Sequence, residues 1–143
     1  MIVRCLSNRG SYLPETSLDP SGGIDDNTVF ELAVDQRYVV YGLTVYLNHA
    51  WYYLCAGRGD TFPIWYPSPL FEVADGRLSA HWIFNYSLDP PRGVDHAVIA
   101  FPEWANDLSF YDRLTDGEEE AVLTFQRYKR LIDDEATLVQ EGR

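Results

Sequence analysis

Basic side chains are scarce in this chain: 11 Lys and Arg stand against 22 Asp and Glu, a net charge of -11 over 143 residues. That balance repels phosphate backbones and anionic lipid, so the expected partner is a basic protein, with no nucleic acid and no membrane. Long apolar runs are missing too. Nothing in residues 1–13 has the length of a signal-peptide core, and no later run approaches the ~20 residues of a membrane span, so a cytoplasmic protein is expected. Cysteine is limited to Cys5 and Cys55, without CxxC spacing, and such a pair outside an export context reads as two free thiols. The three histidines, His49, His81 and His96, do not stand at the spacing of a metal-binding helix or knuckle. The glycine-containing runs GRGD and SGGID lack the spacing and the lysine of a phosphate-cradling loop. No metal and no cofactor is therefore expected.

What is present is apolar and aromatic. With 46% hydrophobic and 15% aromatic residues, the chain reads as one packed domain over 1–143, long enough to bury roughly two thirds of its unfolded surface. The stretch 37–55, RYVVYGLTVYLNHAWYYLC, organises it. Asn48 and His49 are the only polar break in a β-branched and aromatic run, which predicts two strands reversing at that pair. Period-two alternation then sorts Val39, Tyr41, Leu43, Val45 and Leu47 onto an aliphatic face, expected inside. Tyr38, Tyr46, Trp51 and Tyr53 fall on an aromatic face that something must cover or use.

Residues 1–6 suggest an edge strand, 7–27 a long surface loop rich in Gly, Pro, Ser and Asp, and 28–34 a further strand. Pro63, Pro67 and Pro69 restrict the next segment to edge pairing. Asp75 and Gly76 signal a hairpin, followed by an alternating strand through residues 78–86 and a last strand over 94–101. The pattern then changes period. Asn106 can cap a short helix, and Thr115 with Glu118 forms a capping-box signature. Behind it about sixteen helical residues place Ala121, Val122, Phe125, Tyr128, Leu131 and Ile132 on one face, with a frayed tail after Asp134. The fold class is α+β: a small curved antiparallel sheet or an SH3-like barrel over 28–101, with two C-terminal helices over 102–135.

At Tyr38, Val39, Val40 and Tyr41, then at Pro69, Leu70, Phe71, Glu72 and Val73 with Trp82, then at Phe101, Pro102, Glu103 and Trp104, the chain resembles a group of small uncharacterised bacterial proteins. The resemblance covers about residues 28–135. In size and acidity these are similar to immunity proteins that neutralise toxins, which implies a non-enzymatic role against a cognate toxin domain. The residue-level reading points the same way. Asp25, Asp26, Asp60, Glu118, Glu119 and Glu120 are the candidate acids for a basic partner, and Trp51, Tyr53, Trp65 and Tyr66 the candidate aromatic anchors. Two other readings carry residues of their own: a small enzyme with Cys55, His81 and a nearby carboxylate, and an SH3-like peptide-binding module presenting Trp65 and Tyr66.

Overall fold

The computed structural model describes residues 1–46, 49–57, 60–89, 91 and 93–141. Among the described residues, eight strands form two antiparallel sheets. The smaller has the order β2 (Arg37–Val39), β1 (Ile2–Cys5), β6 (Phe71–Asp75). The larger runs β5 (Ile64–Pro67), β4 (His49–Leu54), β3 (Gly42–Tyr46), β8 (Val94–Ala100), β7 (Ile83–Asp89). Among the described residues three α-helices follow, where two were expected: α1 (Pro102–Ala105), a single turn opened by Pro102, then α2 (Phe110–Thr115) and α3 (Glu119–Glu141).

The chain passes between the two sheets three times, after β2, after β5 and after β6, and the first passage is the tightest. The Val40 amide still bonds the Met1 carbonyl of the small sheet, while the next amide, Tyr41, bonds Tyr53 of the large one. Both residues are buried, as expected where a β-branched and an aromatic side chain pass through the middle of the molecule. The fold is α+β, as the change of period predicts, but among the described residues the sheets do not close into a barrel: there β6 pairs only with β1 and β7 only with β8.

The reason lies at Asp75 and Gly76, which do not make a hairpin. Asp75 instead pairs with Arg77, and the chain leaves one sheet for the other across α3. There Glu135 accepts hydrogen bonds from Ser79 Oγ at 2.6 Å and the Ala80 amide at 2.9 Å. Buried Ser79 and Trp82 belong to this crossing, and the expected strand starts only at Ile83.

Other expectations shift in informative ways. The N-terminal strand sits in the centre of its sheet, because β2 and β6 take its two sides. Residues 28–34 form no strand; only Val29 bridges Arg9, and Phe30 is tied to Asn8. The loop 7–27 wraps the fold through three short 3-10 turns and buries Leu13 and Ser17. Asn106 closes α1 instead of opening α2, and Asp107 accepts from the Ser109 amide and hydroxyl just before α2. Thr115 turns back to the Asp112 carbonyl, and Gly117 takes a positive φ of 80° that reverses the chain into α3. The helix then runs 23 residues, helical well past Asp134, because Ala136 is still buried after Ala121, Phe125 and Ile132. Leu131, expected on that stripe, is exposed.

In the central hairpin, Tyr46 pairs with His49, Val45 with Ala50, Thr44 with Trp51 and Leu43 with Tyr52. His49 is thus a strand residue and not a turn residue; Leu47 and Asn48 lie outside the described residues. The reversal falls one position earlier than expected, which moves each partner by two, so the parity of the faces survives within β3 and β4, whereas Tyr38 and Val39, expected on the same hairpin, belong to β2 of the smaller sheet.

Coverage of the faces is mixed: Tyr41 is buried and Val39 and Leu43 pack on the core, as expected of the aliphatic face, but not all of that face is inside. The aromatic face is closed at Tyr53 by α1 and α2, whereas the aliphatic face opens to solvent at Val45. Nor does α3 lie over the aromatic face: Phe125 meets Tyr41, with ring centroids 5.7 Å apart, and Tyr128 stacks on Phe101 at 4.2 Å.

Candidate partner-binding surface

On the even-numbered face of β3 the hairpin alternation collects rings around Trp51. Trp65 of β5 lies 4.6 Å away between centroids, His49 stacks at 5.1 Å, and Tyr46 sits at 5.8 Å. The Trp51 indole N–H donates to the Tyr46 carbonyl at 2.8 Å, which satisfies its one polar atom. Trp51 is only 2% exposed, so it is the floor of the cluster and not itself an anchor for a partner. The accessible rings are Trp65, at 37%, and Tyr46.

The long loop reaches this cluster through Asp19, which accepts the Tyr46 hydroxyl at 3.2 Å. Partial desolvation and that carboxylate raise the tyrosine's pKa. Asp25 and Asp26, the loop acids expected at the site, are exposed elsewhere in the loop, where Asp25 accepts the Asn27 amide at 2.8 Å and shapes a turn. Asp60 is half-buried and accepts the Gly57 amide at 2.8 Å.

The other candidate aromatics separate. Tyr53 is closed in between Trp104 at 4.7 Å, Tyr111 at 5.1 Å and Trp65 at 6.3 Å. Tyr66, at 6% exposure, faces the opposite way onto Phe30 and Phe71, because neighbouring residues of a strand point to opposite sides. Trp65 and Tyr66 therefore cannot present a common peptide groove.

A second surface is built by the helices. Between residues 103 and 120 the chain carries Glu103, Asp107, Asp112, Asp116, Glu118, Glu119 and Glu120 against one base, Arg113. Their elements converge on a cleft of about 400 Å³, with Glu103, Asp107 and Glu120 on its walls and Phe110 and Ala121 at its base. Arg113 is claimed by Asp107 at 2.7 Å and Glu118 at 2.8 Å. The Ser109 hydroxyl and amide together with Arg113 hold the Asp107 carboxyl below its usual range. Glu103 bonds Arg127 and Tyr128 at 2.8 and 2.9 Å. Glu119 and Glu120 stand exposed in the first turn of α3, where the helix dipole favours negative charge.

The candidate acids and aromatics thus divide into a helical acidic corner, an aromatic patch with Asp19 at its margin, and the separate Asp25, Asp26 and Asp60. Inner side chains of α1 and α2, Trp104 and Tyr111, join the first two by packing on Tyr53. Sequence reasoning missed Asp19, Glu103 and Asp107. The density of acids after Pro102 was the available signal for the last two; nothing local marks Asp19, whose role depends on where the loop folds back.

Cys55 and His81 have different neighbours. Burial pushes the Cys55 thiol up to about 12, with Lys129 only partly offsetting it, so the sulfur is protonated at neutral pH. His81 lies edge-on to Tyr128 at 6.1 Å. Among the described residues no group of three or more His, Cys, Asp and Glu is placed to hold a metal ion, and no helix is long and apolar enough to cross a membrane. Comparison of the chain with protein-family models, with curated proteins and with solved structures gives no match.

Proposed function

We propose that this chain is a non-enzymatic cytoplasmic binding protein whose partner is a basic protein domain, in the manner of a bacterial immunity protein bound to its cognate toxin. The observation that carries the reading is the acidic cleft between α1, α2 and α3. An arginine or lysine can lay its aliphatic stem on Phe110 and Ala121 and bring its charge to Glu120, beside Glu103, which already holds Arg127 and Tyr128. Arg113 does not compete, since it is already paired on both sides.

Glu118, Glu119 and Glu120 extend the negative field around the cleft, and a net charge of -11 steers a cationic domain from a distance. Trp65 and Tyr46 supply accessible rings to which a second cationic side chain can dock face-on, beside Asp19. Asp25, Asp26 and Asp60 contribute to the field without touching either patch.

The test is expression of the protein encoded beside this one, with and without this chain, followed by stopped-flow mixing of the purified pair. The reading expects growth arrest relieved by this chain, and an association rate that falls steeply as salt rises. Growth arrest that persists in its presence, or a rate indifferent to salt, would discard it.

A further inference from the structure

The four sheet edges are not alike. β5 carries Pro67, with Pro63 and Pro69 nearby, β2 is three residues long, and β6 carries Glu72 and Asp75. Each of these is a known way of making an edge unattractive to another strand. β7, sequence IFNYSLD, has none of them before its last residue. Seven residues long, it bonds β8 on one side, and among the described residues no strand pairs with the other.

Its outward face is apolar as well. Phe84, Tyr86 and Leu88 alternate along it, 64%, 52% and 58% exposed. They continue a shallow groove of about 120 Å³ lined by Leu43, Val45, Ala50, Ala97 and Ile99. A contiguous exposed apolar patch with aromatic content is often an interaction site.

We propose that β7 pairs with β7 of a second copy, antiparallel about a two-fold axis at Tyr86, giving one continuous ten-stranded sheet. The strand is self-complementary in that register. Tyr86 faces Tyr86, Phe84 faces Leu88 in both directions, and Asn85 faces Ser87, so apolar meets apolar and polar meets polar across the axis.

Charge selects the occupant. In a molecule of net charge -11, the strands β3, β8 and β7 together hold two carboxylates, Asp89 and Asp95. Asp89 would stand opposite Ile83 of the second copy, and Asp95, one strand further in beside Leu88, already accepts the Tyr86 hydroxyl at 3.4 Å. A basic partner finds almost nothing to neutralise here. Another copy of the chain, elsewhere repelled by its own acidity, meets its least repulsive surface. The pairing uses none of the cleft residues and stands independently of the function proposed above.

Sedimentation velocity on the intact chain from micromolar to millimolar concentration should show a species of twice the 16.4 kDa chain mass. Cysteine variants read the register. Tyr86→Cys places two thiols directly across the axis, so air oxidation converts it to a covalent dimer, whereas Leu88→Cys separates them by about four strand residues and stays monomeric on a denaturing gel. Both positions are exposed, and native circular dichroism certifies the fold. A wild-type chain that remains monomeric throughout, a dimer that Tyr86→Cys fails to cross-link, or equal cross-linking of both variants each overturns the pairing.

Discussion

Tyr41 donates its phenolic hydrogen to Asp133 at 2.6 Å, a contact between residues 92 positions apart that ties the link between β2 and β3, where the chain passes from one sheet to the other, to the long helix. Lys129 completes the group, bonding Asp133 at 2.8 Å while its ammonium lies 5.3 Å from the Tyr41 ring centre. The Tyr41→Phe variant keeps the ring and the cation contact and removes only the hydroxyl. The expected cost is about 1.5 kcal/mol, the low end for a hydrogen bond to a charged group, because the carboxylate retains Lys129 and some water. Urea unfolding measures it, and an unchanged midpoint would show that the bond contributes nothing net.

Gly42 is held by a neighbour and not by its backbone angles. A Cβ there would stand 3.0 Å from two ring carbons of Trp104. Trp104 has nowhere to retreat, since Tyr53, Phe101, Phe110 and Tyr111 pack around it. Gly42→Ala is therefore expected to destabilise by about 1–3 kcal/mol through overpacking. A thermal melt within a degree of wild type would mean that α1 shifts freely over the sheet.

These two residues also mark how far the sequence could be read. Alternation along residues 37–55 placed Tyr41 and Trp51 on opposite faces correctly, because side-chain parity is local and a two-residue slip preserves it. Which face is covered depends on elements far along the chain, such as Trp104 and Tyr111 over Tyr53, and a pattern of alternating apolar residues looks the same facing solvent or helix. Hence Trp51 reads as an exposed anchor and proves to be a floor, and Val45 reads as core and proves to be open. The barrel fails for a similar reason. Asp75 and Gly76 carry a sound turn signal, but Glu135 on α3 offers Ser79 and Ala80 two hydrogen bonds that no hairpin rule anticipates. For the site, local acid density made Glu118, Glu119 and Glu120 legible, whereas Asp19 beside Tyr46 is purely tertiary.

Several tyrosines should make the protein sensitive to alkali. Burial raises the pKa of Tyr41 and Tyr53, and lifts Tyr66 and Tyr111 to about 12. The unfolded value is about 10. A folded pKa above the unfolded one gives stability that is fully present below pH ~10 and is lost as pH rises from there through about 12. Phenolate absorbance should therefore appear in two stages, the buried rings ionising together with loss of near-ultraviolet circular dichroism. A single smooth titration with the fold intact would count against the burial of those rings.

The thiols give a separate check. Cys5 is fully buried, and Cys55 is held protonated by its surroundings. At pH 8 the native chain should react with a disulfide reagent on the order of a thousandfold more slowly than an ordinary exposed cysteine, and denaturation should release two equivalents. Rapid labelling of Cys55 without denaturant would reopen the reading of that residue as a nucleophile.

The acidic corner can be tested through stability and through binding, and the two must be separated. Glu119 and Glu120 sit in the first turn of α3, so reversing either to lysine should cost about 0.3–1 kcal/mol whether or not a partner exists. The same reversals leave the fold largely native and should slow association with a cationic partner well beyond that small stability loss, with a weaker salt dependence than wild type. Neutralising Asp25 and Asp26, which lie in the loop away from the cleft, should slow it much less. The comparison is informative because both pairs change the net charge in the same direction: if only total charge mattered, matched charge changes would be interchangeable. Equal effects per unit charge would leave general steering and remove the cleft as the docking point, whereas a larger effect at Glu119 and Glu120 places the partner's basic side chain beside Phe110.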